Sequence, residues 1–406
     1  MQINSEIQTL DKVIVHEPNI GIEHISPEIA EQLLYDDIVF LPRMIEEHYQ
    51  FTQTLKQLIG KENVYEFTDL LHDILLKENV REELIEYLFE KEDFGLGKYE
   101  MLKQLEPEHL ATVLISGVHP ESKQSILAPL PNLVFTRDIG CVINDHILVC
   151  KANKSARLRE NYLTKFIVHH HNLFSSFSHK KIDFVTDENL QHDSGISIEG
   201  GDVMLVNSRH IIIGESERTT LDAIFELKAY LFEKDVVDYV TVVEIPNERY
   251  CMHLDTIFTL LSDDTCVGFS PLLFEKNDKV DIVTYSKNNA RAVLHPTLKD
   301  LIKELYPNMN FIACGGGVSP FAQREQWTDG CNFVAAKSNV AYSYERNLKT
   351  LQALRDSNFN IISAKHLLND NLTLQHLNNT IITLASAELS RARGGPHCMT
   401  FPISRK

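Results

Sequence analysis

The chain lacks any run of about 18 apolar residues, so nothing in it reads as a membrane span. It also lacks a CxxC pair. Its seven cysteines, at 141, 150, 251, 266, 314, 331 and 398, make an odd count. These absences argue against a disulfide framework and a zinc ribbon, and for a reducing, cytoplasmic setting. The opening stretch MQINSEIQTLDKVIVHEP has no basic segment leading into an apolar one, so no signal peptide is expected. Positive charge is scarce: 39 Lys and Arg stand against 57 Asp and Glu, a net charge of −18. That balance disfavours nucleic acid as a partner and suits a cationic small molecule. No Ser/Gly-rich linker, literal repeat or low-complexity tract divides the 406 residues. A single domain spanning 1–406 is therefore expected, and an apolar share of 43% is enough for a large core.

What is present reads as α/β. Short β-rich runs recur as DKVIVHEP, HILVC, HIIIGES, VDYVTVVEIP, TCVGFSPLL, NFIAC, NVAYSYERN and FNIISA. Several are nearly continuous in Val, Ile and Leu, as in strands covered on both faces. Helical patterns lie between them. In residues 219–234, Leu221, Ile224, Leu227 and Leu231 recur at helical spacing. From 67 to 118 strand signals vanish, and this stretch reads as a helical insertion. Within it, Asn79 with Glu82 three residues on resembles an N-cap, ahead of a stripe of Val80, Leu84, Tyr87 and Leu88. The run His169–His171 reads as a solvated helix end, because three adjacent side chains cannot face one ion.

Polar clusters break the apolar pattern about every sixty residues. NLVFTRD carries Asn132, Arg137 and Asp138, SIEGGD carries Glu199 and Asp202, and CMHLDT carries His253 and Asp255. QWTDGCN, with Asp329 and Asn332, lies midway to the last cluster, SRARGGPHCMTFP, which holds Cys398. Such recurrence implies several βαβ-like units, each aiming one loop at a shared centre. That centre would hold three carboxylates, one imidazole and one thiol. Crowded carboxylates repel one another unless a cation sits among them. No Cys/His spacing supports zinc, and calcium would want more oxygen ligands at closer spacing. A guanidinium is planar, permanently charged and rich in donors, and its carbon is open to a thiolate from either face.

The motifs NLVFTRD, IEGGDVM, HLDT, REQWTDGCN and RARGGPHCMTFP, in this order, resemble the arginine deiminases of the guanidino-modifying pentein superfamily. The resemblance covers nearly the whole chain. It implies a pentein fold: a pseudo-fivefold α/β propeller of ββαβ-type units with an inserted helical bundle. It implies hydrolysis of free L-arginine to L-citrulline and ammonia by a homo-oligomeric enzyme that uses no cofactor or metal. By matching position, Cys398 is the nucleophile, His253 the general acid/base, and Asp138 and Asp255 the grip on the guanidinium. Glu199 supports His253, while Asn132, Arg157, Arg218 and Arg393 read the amino-acid end of the substrate. Two departures stand out. Ala392 replaces a usual glycine, and residues 365–386 form a longer connection than usual; both are expected at the substrate's α-carbon end. Relatives with the same Cys-His pair include amidinotransferases and other guanidine hydrolases, and a non-catalytic binding module would have lost the set.

Overall fold

The computed structural model describes every residue except 93, 186–194 and 278. Among the described residues the strands form five sheets, and each is built around an antiparallel pair extended by a parallel strand. Strands Gly140–Ile143 and His146–Val149 pair antiparallel, and helix Leu158–His170 returns the chain to the parallel strand Lys181–Asp183. The same order recurs with Val203–Asn207, His210–Glu215, helix Leu221–Glu233 and Tyr239–Glu244. A further unit comprises Phe258–Ser262, Thr265–Gly268 and Asn310–Ala313, and its long crossover sends a hairpin, Ile282–Ser286 with Asn289–His295, to extend the preceding sheet. Another comprises Val334–Lys337 and Val340–Tyr344, with Thr380–Leu384 and Asn360–Ser363 beside them. The last strand, Phe401–Arg405, pairs with the first, Leu10–Val15, which is followed by helix Leu41–Ile59 and strand Val64–Glu66. The two ends of the chain thus complete one unit.

The helices form where the sequence has an apolar face and a start signal. Thr220 caps Leu221–Glu233 by accepting from the Ala223 N–H, and Ile224, Leu227 and Leu231 are buried against the sheet. Helices Phe67–Leu75, Glu78–Lys91, Gly95–Lys103 and Pro107–Ser116 follow the first unit. Their Leu71, Leu84, Leu88 and Leu114 share one core with Ile147, Leu148 and Ile211 of the sheets. Asn79 does not cap its helix. The helix starts two residues earlier than such a cap would place it, with Lys77 as the flanking residue: its carbonyl accepts from the Arg81 N–H and its ammonium donates to the His170 carbonyl. Lysine is not a residue that a local capping pattern singles out. Residues 365–386 also differ from expectation. They make helix Ala364–Asn369 and strand Thr380–Leu384, and they pack on Leu41–Ile59, where Gln57 donates to the Leu367 and Leu372 carbonyls. They line no part of the central cavity described below. No described helix is long and apolar enough to cross a membrane.

Candidate active site

Each unit begins with a turn that enters the buried leading strand of its hairpin, and these turns carry the polar clusters. Asp138 sits in the turn Thr136–Ile139 before Gly140–Ile143. Glu199 precedes Gly200–Asp202 and the strand from Val203. His253 and Asp255 flank Leu254 in the turn before Phe258–Ser262, Asn332 lies just before Val334–Lys337, and Cys398 just before Phe401–Arg405.

The turns are bolted to one another. Arg137 donates through Nε to the Gly200 carbonyl at 2.9 Å and through Nη2 to the Val203 carbonyl and Glu6 Oε1, and its N–H donates to the Cys398 carbonyl. The Arg-Asp neighbours of NLVFTRD therefore serve two purposes, one arginine joining units and one aspartate facing the centre. The glycines of EGGD are there for close approach. A Cβ on Gly200 would lie 2.1 Å from the Arg137 carbonyl oxygen, and one on Gly201 would lie 2.9 Å from both Asp138 Oδ1 and the His253 ring. Asp202 accepts the Leu254 N–H at 2.9 Å, which fixes the His253 turn.

Asn132, Asp138, Arg157, Arg218, His253, Ala392, Arg393 and Cys398 all line one cavity, whose walls leave only about 30 Å³ for water-sized molecules. Glu199 and Asp255 lie directly behind them, each fully buried. Glu199 Oε2 is 2.9 Å from His253 Nε2. Asp255 Oδ2 accepts from His397 Nδ1 at 2.8 Å and lies 3.5 Å from Cys398 Sγ. Asp138 Oδ1 and Asp255 Oδ1 are buried with no hydrogen-bond partner.

The charges settle unevenly. Burial opposes the imidazolium of His253, but Asp138, the Glu199 hydrogen bond and Asp202 outweigh it and hold its pKa up to about 10. Burial pushes the Cys398 thiol well above its ordinary value, and Asp255, Asp138 and Asp329 push it the same way. The resting site thus pairs a protonated imidazole with a protonated thiol. Burial also opposes the Asp255 carboxylate, yet hydrogen bonding and charge from His397 bring its pKa below the usual value.

The cations divide into two groups. Arg157 lies with the carboxylates. Its Nη1 is 2.5 Å from Asp138 Oδ2, its Nε 2.9 Å from Glu160 Oε2, and its Nη2 donates to the Asn132 and Phe135 carbonyls. Arg218 and Arg393 are less engaged. Arg218 Nε is buried without a partner, and its Nη1 stands 3.9 Å from Glu199. Arg393 stacks its guanidinium 3.4 Å over the Trp327 ring, donates once to the Arg249 carbonyl and leaves Nη1 unpartnered. Arg249, paired with Asp36 at the mouth, also lines the cavity and was not foreseen. Asn132 donates its amide to the Leu33 carbonyl. Atoms of Asp138, Glu199 and His253 lie within 4.8 Å of one another, a spacing that could hold a metal ion; Arg157 holds Asp138 Oδ2, and Glu199 Oε2 pairs with His253 Nε2.

Comparison with known proteins agrees with this architecture. The family model for arginine deiminase matches residues 31–116 and 99–405. The arginine deiminase of Limosilactobacillus fermentum is 32% identical over all of this chain and 98% of its own length; that of Limosilactobacillus reuteri is 33% identical with the same coverage. The arginine deiminase of Mycoplasma capricolum is 30% identical over all of this chain and 97% of its own. Among solved structures, the product-bound N-terminal domain of ArgZ, an arginine dihydrolase from cyanobacteria, covers 97% of this chain and 98% of its own at a TM-score of 0.55 and 15% identity. A dimethylarginine dimethylaminohydrolase covers 97% of this chain and 99% of its own at 0.51 and 12%. At such identities these two establish the pentein fold. Kinship along the whole length, on a fold that gathers the matched motifs into one cavity, places the chain: it belongs to the arginine deiminase family.

Proposed function

We propose that this chain hydrolyses the guanidino group of free L-arginine to L-citrulline and ammonia through a thiouronium intermediate on Cys398. The observation that carries the reading is the pair of buried, unpartnered oxygens, Asp138 Oδ1 and Asp255 Oδ1, beside a buried thiol. Each such atom carries an uncompensated desolvation cost that a donor-rich cation removes. A guanidinium lying between them presents its carbon to Cys398.

Arrival of that cation offsets the carboxylate charges, and the thiol gives its proton to water. The thiolate adds to the guanidinium carbon. His253, already protonated, gives its proton to one nitrogen as the C–N bond breaks, and ammonia leaves. The now neutral His253 takes a proton from water, and the hydroxide adds to the thiouronium carbon. The C–S bond breaks as the hydroxyl proton passes to solvent, citrulline leaves, and the freed thiolate takes up a proton again. Covalent catalysis divides one difficult hydrolysis into two easier ones. Glu199 orients His253, and Arg157 holds Asp138 in place. Arg218 and Arg393, whose donors are least engaged, take the α-carboxylate beside Asn132. The narrow cavity must open to admit arginine, and Arg393 has the least to lose, since a ring face and one carbonyl hold it.

The 406 residues act as one catalytic unit, with 67–118 as a helical insertion. A cytoplasmic location, for which seven unbridged cysteines speak, and a homo-oligomeric state complete the reading. The test is direct. Purified protein should release citrulline and ammonia in equal amounts from L-arginine. Cys398→Ala should retain its fold and lose turnover, and acid-quenched parent enzyme should carry an adduct on the Cys398 peptide. An active Cys398→Ala variant would remove the mechanism.

A further inference from the structure

Asn332 is fully buried, and its amide ties its own turn to two of the other four. Its Oδ1 accepts from the His397 N–H at 2.9 Å and the Cys398 N–H at 3.2 Å. Its Nδ2 donates to the Asp255 carbonyl at 3.0 Å and stands 3.1 Å from Cys398 Sγ. The orientation of this amide is determined by its partners. Rotated by a half turn, it would set its NH2 against two backbone donors and its oxygen against a carbonyl, losing every bond at once. An N–H therefore points at the sulfur. The approach depends on Gly395, where a Cβ would lie 2.4 Å from Asn332 Oδ1.

Apart from a backbone hydrogen bond from Gly395, the remaining surroundings of the sulfur are unfavourable to charge. Asp255 Oδ2 is 3.5 Å away, and a carboxylate there accepts from a thiol but repels a thiolate. His253 is turned to Glu199 and Asp138. Asn332 is thus the side-chain donor placed on Cys398 Sγ among the described residues.

We propose that Asn332 is a catalytic residue: its Nδ2–H stabilises the Cys398 thiolate each time it forms and departs, while its Oδ1 holds the loop that carries the thiol. The role in turnover rests on Cys398 being the nucleophile, but the effect on the sulfur does not. A neutral donor suits a group that must be an anion when it attacks and when it leaves, yet a resting thiol between turnovers. A fixed cation there would compete with the substrate for the carboxylates.

The experiment reads the thiol itself. Alkylation of Cys398 by iodoacetamide is followed by mass spectrometry across pH in the parent and in two neutral variants, Asn332→Ser and Asn332→Ala, with near-ultraviolet circular dichroism as the check on fold. Losing one hydrogen bond to a charged group should lower the alkylation rate at fixed pH about ten- to over a hundredfold and move the profile toward higher pH. kcat with arginine should fall by a similar factor. A folded neutral variant whose alkylation profile superimposes on the parent's would overturn the proposal. So would unfolding of both variants, which would mark Asn332 as scaffold alone. If Cys398→Ala keeps turnover while the alkylation profile still depends on Asn332, the proposed reaction fails and the assignment of the donor stands.

Discussion

Arg157 places its Nη1 2.5 Å from Asp138 Oδ2, so a carboxylate expected to grip a substrate guanidinium already holds one belonging to the chain. The pair is buried on both sides, at 5% and 6% side-chain exposure, and Glu160 shares the cation. Only one oxygen of Asp138 is used, which leaves Oδ1 for a ligand.

This geometry separates two arginines that look alike in the sequence. Removing one partner of a buried pair leaves an uncompensated charge and costs about 3–5 kcal/mol. Arg157→Ala should therefore lower the urea midpoint and the Tm sharply, and Arg157→Lys should recover little, because an ammonium cannot reach Asp138, Glu160 and two carbonyls together. Arg218→Ala should unfold near the parent temperature. A stable Arg157→Ala enzyme with only a raised KM would return Arg157 to the role of reading the substrate's carboxylate.

The thiol gives a pH test. Burial and three carboxylates favour the neutral form of Cys398, so the free enzyme should react slowly with iodoacetamide at neutral pH. The rate should climb beyond the ordinary thiol range of about 8.5. Guanidinium ion, added as a non-reacting cation in the pocket, should shift the profile toward lower pH. A free enzyme fully reactive below neutrality would mean a standing thiolate–imidazolium pair.

Arg157 holds one oxygen of Asp138, Glu199 holds His253, and the substrate guanidinium supplies the remaining positive charge, so the reaction as drawn needs no ion. Exhaustive dialysis against EDTA should leave kcat within about twofold of its starting value. Activity lost to the chelator and restored by one divalent ion would give Asp138, Glu199 and His253 a different task.

Much of this was legible in the sequence, for identifiable reasons. The second strand of several hairpins is a short run rich in β-branched, aromatic or other apolar residues, so His146–Val149, His210–Glu215 and Val340–Tyr344 announce themselves. The leading strands do not. Phe258–Ser262 is wholly buried yet carries Thr259 and Ser262, whose hydroxyls are satisfied by the Cys331 carbonyl and by Asp264. Three-residue strands such as Val64–Glu66 are too short to show a period. The residues around the cavity stood out because polar groups interrupt apolar runs at each entering turn. The Arg157–Asp138 pair and the Asn332–Cys398 contact could not be read in the same way. Arg157 and Asp138 lie 19 residues apart within one unit and Asn332 and Cys398 lie 66 apart in two units, and nothing local marks which side chains the fold will bring together. The recurrence of a polar cluster at QWTDGCN was the one signal that pointed to Asn332.

Choice of substrate is the sharpest remaining test. Arg218 Nε is buried without a partner, and Arg393 Nη1 is likewise unpartnered beside the same cavity. Two under-used guanidinium groups at one end of a pocket call for an anion, and a free α-carboxylate can take bidentate bonds from such a fork. Agmatine lacks that group, and arginine within a peptide lacks it in mid-chain. Both should be turned over far more slowly than L-arginine. Losing one charge-assisted contact costs roughly 1.5–3 kcal/mol, so Arg218→Ala should lower kcat/KM for arginine by about ten- to over a hundredfold. The same variant should change little toward agmatine, which never used the contact. Ala392 lines the same cavity and could reshape it, so Ala392→Gly is the natural control and should leave the preference for arginine in place. If the parent enzyme handles agmatine and arginine with comparable kcat/KM, the two arginines serve the fold and not the carboxylate.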